Sequence, residues 1–182
     1  SGKTSTLYAS IIAILNAQDR QIITLEDPVE AVIPGVRQSQ INSNYNFHNG
    51  LRAILRQDPD VIVIGEIRDA ESAKAALDAA YTGHLVFASL HTTNVQTTLQ
   101  RLVRFNCDPF LITQSLRAIL SQNLAMVPCQ HCNHMGCYKC HYTGITTRQL
   151  QLEYLEFTNP STHINWHDDF DALCQQNRYY PV

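Results

Sequence analysis

The chain begins with Ser-Gly-Lys-Thr, which has the form of the second half of a phosphate-binding loop. In the complete G-x-x-x-x-G-K-[ST] motif, backbone N–H groups surround the phosphates, the lysine reaches the outer phosphates, and the hydroxyl binds Mg²⁺. This predicts a nucleotide site at Ser1, Gly2, Lys3 and Thr4, with Thr4 as the magnesium ligand. The first half of the motif and a preceding strand are not in the sequence, so a chance tripeptide is the alternative interpretation.

Three short apolar runs, at 21–25, 60–65 and 85–90, are predicted strands, and ionisable residues follow each of them. In an open α/β sheet, ligands bind beyond the carboxyl ends of the strands. We therefore expect these residues to share one edge with the N-terminus of the helix that begins near Lys3. They are Glu26, Asp27 and Glu30 after the first run, Glu66, Arg68 and Asp69 after the second, and His91 after the third. The alternative is that strand ends are polar because they meet water.

The chemistry that this set predicts is phosphoryl transfer. A nucleoside triphosphate needs cationic stabilisation of its γ-phosphate, a metal ion, and a carboxylate that orients or deprotonates water. Lys3 and Thr4 would meet the first two needs. Glu26 and Glu66 are the candidate carboxylates. His91 is a candidate donor to the γ-phosphate.

Two other groups of basic residues have weaker functional interpretations. His84 lies at the opposite end of the third predicted strand from His91, roughly 20 Å away at about 3.3 Å per residue. The two histidines therefore cannot contact one phosphate, and a packing role for His84 is as strong as a functional one. Arg52 and Arg56 share one helix face, which is either a solvated surface or a set of arginines that reaches a neighbouring subunit.

A cysteine cluster with the spacing C-x₂-C-x₄-C-x₂-C predicts a zinc site at Cys129, Cys132, Cys137 and Cys140. Zinc favours four thiolates in a tetrahedron, and each C-x₂-C turn offers two of them. Free thiols in a loop without metal are the main alternative, and the histidines at 131, 134 and 141 are possible substitute ligands. Clustered cysteines of this kind indicate a reducing compartment rather than a disulfide framework.

Alternation of strands with helices predicts an α/β domain with a mainly parallel sheet. Helices are predicted at 4–17, 46–57, 69–81, from 95 onward, and at about 109–122. The three predicted strands are apolar enough to be buried on both faces. Residues 149–157 alternate polar and apolar types and predict an edge strand, whereas 158–182 show little periodicity.

The composition is that of a folded globular protein, with 182 residues of which 45% are hydrophobic and 16% charged. The formal net charge of −3 gives no electrostatic reason to expect a nucleic acid or an anionic membrane as the main partner. No apolar run approaches the ~20 residues of a membrane span.

The stretches "ITLEDPVE", "GLRAILRQDPDVIVIGEIRD" and "TGHLVFASLHTTN" resemble the Asp box, Walker B box and His box of the secretion ATPases. This family drives type II secretion and type IV pilus assembly. The opening SGKT resembles the end of its Walker A loop, and the resemblance extends over about residues 1–157. It implies a RecA-like P-loop NTPase core without its first strand at 1–127, a tetracysteine zinc-binding subdomain at 128–148, and a C-terminal strand and tail at 149–182.

The resemblance also implies an ATP-hydrolysing motor that uses ATP, Mg²⁺ and Zn²⁺. Such a motor is a cytoplasmic homo-hexamer at the inner face of the inner membrane, where it docks on a membrane platform protein. Carried over by position, Glu26 is the catalytic glutamate, Glu66 the Walker B acid, and His84 and His91 the His-box pair, while Asp27 and Arg68 join the nucleotide-binding residues. The tetracysteine motif favours assembly or secretion over retraction.

Some features depart from the family pattern. "QNLA" at 122–125 replaces the usual Gln-Arg-Leu, and "TGITTR" at 143–148 replaces Thr-Gly-Tyr-x-Gly-Arg. The truncated loop predicts a C-terminal fragment with an exposed sheet edge and therefore poor stability in isolation. The alternative function is a zinc-stabilised interaction module that hydrolyses nothing. A zinc-binding nucleic-acid protein is a weaker interpretation, because the chain is acidic.

Overall fold

The computed structural model describes residues 2–17, 19–43, 45–158 and 170–181. The helices in these ranges are α1 (Lys3–Ala17), α2 (Phe47–Ile54), α3 (Ala70–Tyr81), α4 (Val95–Arg104), α5 (Pro109–Ser115) and α6 (Phe170–Gln176). The strands are β1 (Ile22–Glu26), β2 (Arg37–Gln40), β3 (Val61–Ile64), β4 (Leu85–Ala88), β5 (Ala118–Pro128), β6 (Ile145–Glu156) and β7 (Arg178–Tyr180).

The first four strands form one parallel sheet in the order β2-β1-β3-β4. Thr24 of β1 lies beside Val63 of β3, which in turn lies beside Phe87 of β4. All four carboxyl ends therefore point to the same edge of the sheet. The prediction of an α/β fold with a mainly parallel sheet is confirmed.

Helices cover both faces of this sheet, and β3 shows why its sequence is apolar throughout. Successive strand side chains point to opposite faces. Ile62 and Ile64 belong to the larger core, which also contains buried residues of α2, α3 and α4. Val61 and Val63 belong to a smaller core with Ile11 of α1. A strand buried on both faces has no position at which a polar side chain would be favourable.

Side-chain caps fix where three of the helices begin. Asn46, Asp69 and Asn94 each accept a hydrogen bond from a backbone N–H of the first turn, at 2.8, 2.8 and 2.7 Å respectively. Such a cap satisfies an N–H group that has no partner within the helix. The starts of α2, α3 and α4 agree with the sequence prediction within one residue.

A second, antiparallel sheet of β5, β6 and β7 corrects two predictions. The helix predicted to reach residue 122 ends at Ser115, because Leu116 is extended with ψ 124° and β5 then pairs with β6 along its whole length. The strand predicted at the sheet edge lies in the middle, between β5 and β7. Both errors have one cause: the pairing partner of β5 lies about thirty residues further along the chain and leaves no local signal.

The sequence prediction for β4 is wrong in its burial. It predicts a buried strand, whereas β4 has a strand neighbour on one side only within the described ranges, and Leu85 is 47% exposed. The cysteine cluster lies in the loop between β5 and β6, so this hairpin crosses the predicted boundary at 127/128. The domain boundaries stay a prediction. In the described ranges, no helix has the length and apolar character needed to cross a bilayer.

Glu153 of β6 joins three elements and gives a test of the fold. Its carboxylate is 7% exposed and accepts from the Val95 N–H at the start of α4 (2.9 Å) and from the Tyr179 hydroxyl of β7 (2.7 Å). The hydrogen bond to Glu153 raises the pKa of Tyr179 to about 12. Glu153→Ala should lower the free energy of unfolding by about 1–3 kcal/mol, because it leaves a buried N–H unpaired. Urea unfolding followed by circular dichroism measures this change.

The matched control for this experiment is Glu156→Ala on the same strand. Glu156 pairs with Arg178 at 3.5 Å, and both side chains are exposed. Exposed pairs of this kind contribute about 0–1 kcal/mol. Equal losses for the two variants would contradict the structural role given to Glu153.

Candidate functional site

The N-terminus of α1 faces the edge where the strands end. Gly2 precedes the helix with φ +79°, a left-handed conformation that glycine adopts without strain. The Thr6 N–H donates to the Gly2 carbonyl at 3.1 Å. Within the described ranges the N–H groups of Lys3, Thr4 and Ser5 have no hydrogen-bond partner. A helix start with free N–H groups and the positive end of the helix dipole favours an anion.

Lys3 and Thr4 connect this helix start to the ends of two strands. The Lys3 Nζ donates to the carbonyl oxygen of Leu90, just beyond β4, at 2.9 Å. The Thr4 hydroxyl donates to a carboxylate oxygen of Glu30, in the loop after β1, at 3.3 Å. Both partners are groups that a phosphate or a metal ion could replace. Ser1, the remaining residue of the predicted loop, lies outside the described residues.

Glu66 is the centre of a group of charged side chains beyond β3. Its two carboxylate oxygens lie 2.9 Å from the Arg68 Nε and 2.9 Å from the His91 Nε2. Arg68 also pairs with Asp27 through NH1, again at 2.9 Å. The hydrogen bond to Glu66 raises the pKa of the Arg68 guanidinium above its usual value. The group therefore links residues that follow β1, β3 and β4.

Glu26, the last residue of β1, is 5% exposed and accepts three side-chain hydrogen bonds. Its Oε1 accepts from the Thr24 hydroxyl at 2.5 Å and from the Gln38 amide of β2 at 2.9 Å. Its Oε2 accepts from the hydroxyl of Tyr8 in α1. Gly65 makes the close approach of β3 possible, since a Cβ there would lie 3.2 Å from the Leu25 carbonyl oxygen and 3.3 Å from the Glu26 Cα.

These contacts form a continuous chain that returns to the helix in which it starts. We call it the rim network: Lys3, Leu90, His91, Glu66, Arg68, Asp27, Glu26 and Tyr8. Each link is a hydrogen bond, an ion pair or a peptide bond. The structure thus brings together predicted residues from α1 and from the ends of three different strands.

His84 lies apart from the rim network, at the amino end of β4. Its Nδ1 lies 3.0 Å from the Ala79 carbonyl oxygen at the end of α3. It lines a pocket of about 560 Å³ together with Arg20 and Asp60, which form a 3.3 Å ion pair. The structure therefore does not bring the two histidines of the predicted pair together. The functional role of His84 stays a prediction.

Sequence reasoning missed three polar side chains that contact the site. Tyr8 and Gln38 hold Glu26, and Gln122 of β5 accepts from the Thr6 hydroxyl at 2.9 Å and donates to the Gly2 carbonyl at 3.3 Å. For Tyr8 a signal existed, because it follows Thr4 by four residues and therefore shares its helix face. Gln38 and Gln122 carry no such signal, since their places depend on strand pairing across the fold.

The cysteine cluster has the geometry of a tetrahedral metal site. Cys129, Cys132, Cys137 and Cys140 have all four sulfur atoms within 4.8 Å of one another. Three of the Sγ–Sγ distances are 3.7, 3.8 and 4.0 Å. A zinc–sulfur bond of about 2.3 Å in a tetrahedron requires sulfur atoms about 3.8 Å apart. The donor set therefore fits zinc, which these four cysteines would hold.

The backbone conformation around the cluster allows the four sulfur atoms to lie close together. Gly136 has φ +86°, and a Cβ there would lie 2.9 Å from the Tyr142 carbonyl oxygen. The Cys137 N–H donates to the Cys140 sulfur at 3.2 Å and lowers the pKa of that thiol. Negative charge on sulfur is what a metal ligand requires. The histidines at 131, 134 and 141 are exposed and do not belong to the cluster.

Comparison with known proteins shows extensive similarity. Residues 1–179 match the family described as "Type II/IV secretion system protein". The chain is 46% identical over 158 residues to the type II secretion system protein HxcR of Pseudomonas aeruginosa. This alignment covers 81% of this chain and 34% of the relative. It is 48% identical over 184 residues to the type II secretion system protein E of the same organism, covering 86% and 36%. The chain thus spans about a third of the length of these curated relatives.

A solved structure shows the same fold. The crystal structure of the pilus retraction motor PilT with bound ADP matches with a TM-score of 0.74 and 32% sequence identity. The match covers 97% of this chain and 51% of the other. The X-ray structure of the Legionella pneumophila ATPase DotB matches with a TM-score of 0.68 and 30% identity, over 97% and 50%. These matches confirm the predicted fold class.

The sulfur geometry predicts about one zinc ion per chain. After purification without added metal, elemental analysis should find zinc, and Cys132→Ser should lose most of it because three thiolates close a tetrahedral site poorly. The matched control is Cys174→Ser, which changes a cysteine outside the cluster and should leave the zinc content unchanged. The zinc site is refuted if wild type and Cys132→Ser contain equal amounts of metal.

Proposed function

Because the chain belongs to the type II/IV secretion system protein family, we propose that the complete protein hydrolyses ATP and is a motor subunit for protein secretion. The observation that carries this proposal is the rim network. It joins the start of α1, whose first N–H groups have no partner among the described residues, to three acidic residues, an arginine and a histidine at the ends of three parallel strands. Phosphoryl transfer needs anion binding and a positioned carboxylate in one place.

In this proposal the phosphates of ATP bind at the start of α1. Lys3 exchanges the Leu90 carbonyl for a phosphate oxygen, and the backbone N–H groups of Gly2 to Thr4 surround the phosphates. His91, held beside Glu66, is available as a donor to the γ-phosphate. Asp27 and Arg68 complete the nucleotide-binding residues on the same edge.

The two glutamates have different surroundings and therefore different roles. Glu26 is buried and held by three neutral donors, which suits a carboxylate that orients and deprotonates water. Glu66 forms ion pairs with Arg68 and His91, which suits an acidic residue that helps to position the metal ion and the phosphates. We assign Glu26 as the catalytic carboxylate and Glu66 as the Walker B acid.

Charge at the site favours nucleotide binding together with Mg²⁺. The carboxylates of Glu26, Asp27, Glu30 and Glu66 outnumber the cations Lys3 and Arg68. A triphosphate alone would meet net repulsion there, whereas a divalent cation offsets it. The Thr4 hydroxyl, which lies 3.3 Å from Glu30, is the proposed magnesium ligand. When bound, Mg²⁺ would neutralise negative charge on the phosphates.

The names of the relatives favour type II secretion as the process that this motor serves. The resemblance to secretion ATPases supports the remaining proposals: a cytoplasmic homo-hexamer at the inner face of the inner membrane, docked on a membrane platform protein. Arg52 and Arg56 are exposed on and after α2, where a neighbouring subunit could reach them. Type IV pilus assembly is the closely related alternative process.

The second candidate function is a zinc-stabilised interaction module without hydrolysis. Large side chains are exposed at the tip of the β5–β6 hairpin, with Met135 88%, Tyr138 69% and Tyr142 78% exposed. Such a surface suits contact with another protein. The two candidates differ in whether the complete protein turns over ATP.

Steady-state hydrolysis of Mg-ATP by the protein expressed from its complete gene tests the proposal. Glu26→Gln should lower kcat by about 10²-fold or more, because the amide cannot accept the proton of the attacking water. Nucleotide binding should persist, since Lys3 and α1 are unchanged. Phosphate release and binding of a fluorescent ATP analogue measure the two quantities separately.

The matched control is Glu71→Gln, which makes the same change in an exposed carboxylate of the first turn of α3. It should leave kcat within about twofold of wild type, because surface substitutions of this kind have small effects. A wild-type protein that binds Mg-ATP without hydrolysing it would favour the interaction module. Equal rates for wild type and Glu26→Gln would remove Glu26 from the mechanism.

A further inference from the structure

Tyr8 connects the phosphate-binding helix to the buried carboxylate of Glu26. Its hydroxyl donates to Glu26 Oε2, and its phenolic oxygen accepts from the N–H groups of Glu30 and Ala31 at 3.2 and 3.4 Å. Through this one oxygen atom, α1 is joined to the end of β1 and to the loop that follows β1. The loop residue Glu30 is also the partner of the Thr4 hydroxyl.

The two carboxylate oxygens of Glu26 accept different numbers of hydrogen bonds. A carboxylate offers about four lone-pair sites, two on each oxygen. The Thr24 hydroxyl and the Gln38 amide occupy Oε1, whereas Tyr8 is the one donor to Oε2 among the described residues. Oε2 therefore keeps an acceptor site. Without Tyr8, this nearly buried oxygen would have no partner, and the carboxyl group would be free to rotate.

We propose that Tyr8 is a positioning residue for ATP hydrolysis: it holds Glu26 so that Oε2 presents its remaining lone pair to the attacking water. The inference rests on the proposed function of Glu26. In this proposal Tyr8 acts through Glu26 and does not itself bind the nucleotide or the attacking water. Its position four residues after Thr4 ties the carboxylate to the same helix that binds the phosphates, so that both reacting groups have one rigid support.

Tyr8 stays a donor under the conditions in which an enzyme works. Burial and the hydrogen bond to Glu26 raise the pKa of Tyr8 above its usual value of 10.0. A neutral phenol beside a carboxylate donates its proton to the hydrogen bond without competing for the proton of water. An ionised phenol would repel Glu26.

Tyr8→Phe in the protein expressed from its complete gene tests this inference, since it removes one hydroxyl and keeps the ring. We expect kcat to fall by about 10- to 100-fold, as misplacement of a catalytic group by ~1 Å costs up to about 10². The KM for ATP should stay within about threefold, because the residues that bind phosphate are unchanged. A KM increase without a kcat decrease would overturn the positioning role.

The matched control is Tyr179→Phe. Tyr179 donates to Glu153 at 2.7 Å, so the variant removes the same type of hydroxyl–carboxylate bond far along the chain from the rim network. Thermal unfolding should show similar stability losses for Tyr8→Phe and Tyr179→Phe, while kcat falls only for Tyr8→Phe. A fall in kcat of equal size in both variants would mean that Tyr8 has a structural role only.

The double variant Tyr8→Phe/Glu26→Gln shows whether Tyr8 acts through Glu26. If it does, adding Tyr8→Phe to Glu26→Gln should lower kcat by less than about twofold further, because residues that act as a unit are not additive. An additive loss would overturn the inference.

A fluorine NMR titration of 3-fluorotyrosine-labelled protein tests the contact without relying on activity. The Tyr8 signal, assigned with Tyr8→Phe, should titrate at lower pH in Glu26→Gln than in the unmodified sequence, while the Tyr179 signal should not move. An unchanged Tyr8 titration would overturn the inference. If the unmodified protein hydrolyses no ATP, the proposed function fails and this inference fails with it; a kcat that Tyr8→Phe leaves unchanged overturns the inference alone.

Discussion

The hydrogen bonds that hold β1, β3 and β4 parallel and in register bring three chemically different strand ends to one edge. Each strand is short, buried or half-buried, and mainly apolar, so that its first ionisable residue comes at its end or just beyond it. The small core between α1 and the sheet then fixes the helix start against that edge through Ile11, Val61 and Val63. Without this register, Glu26, Glu66 and His91 would be unrelated surface residues.

The groups at this edge satisfy one another in the structure described here. Lys3 is bound to a carbonyl, Glu66 to Arg68 and His91, and Glu26 to neutral donors. The polar groups at this edge therefore have internal partners, although the side chains of Arg68 and His91 are more than half exposed to solvent. In the proposed function, nucleotide binding exchanges partners, because phosphate oxygens replace internal acceptors such as the Leu90 carbonyl. Affinity should then depend on Mg²⁺, since a divalent cation offsets the repulsion between the carboxylates of the site and the phosphates.

The sequence predicts which side chains meet at the strand ends better than it predicts the second sheet. Side chains at strand ends and caps such as Asn46 follow from local patterns, because they depend on a few neighbouring residues. The first residues of β5, 118–122, are predicted as helix, because their extended conformation depends on pairing with β6, which lies about thirty residues further along the chain. Tyr8 falls within the predicted helix at 4–17, and its spacing from Thr4 places both on one helix face, but its contact with Glu26 depends on how α1 packs on β1. Long-range pairing is the information that a single sequence lacks.

We propose that the start of α1 and the three strand ends form one phosphate-binding site. A structure of the complete protein with Mg²⁺ and a non-hydrolysable ATP analogue tests it most directly. We expect the Lys3 Nζ to leave the Leu90 carbonyl, which lies 2.9 Å away in this structure, for a phosphate oxygen, with Glu26, Glu66 and His91 around the γ-phosphate. An analogue bound elsewhere, or phosphates held while Lys3 stays on Leu90, would contradict it.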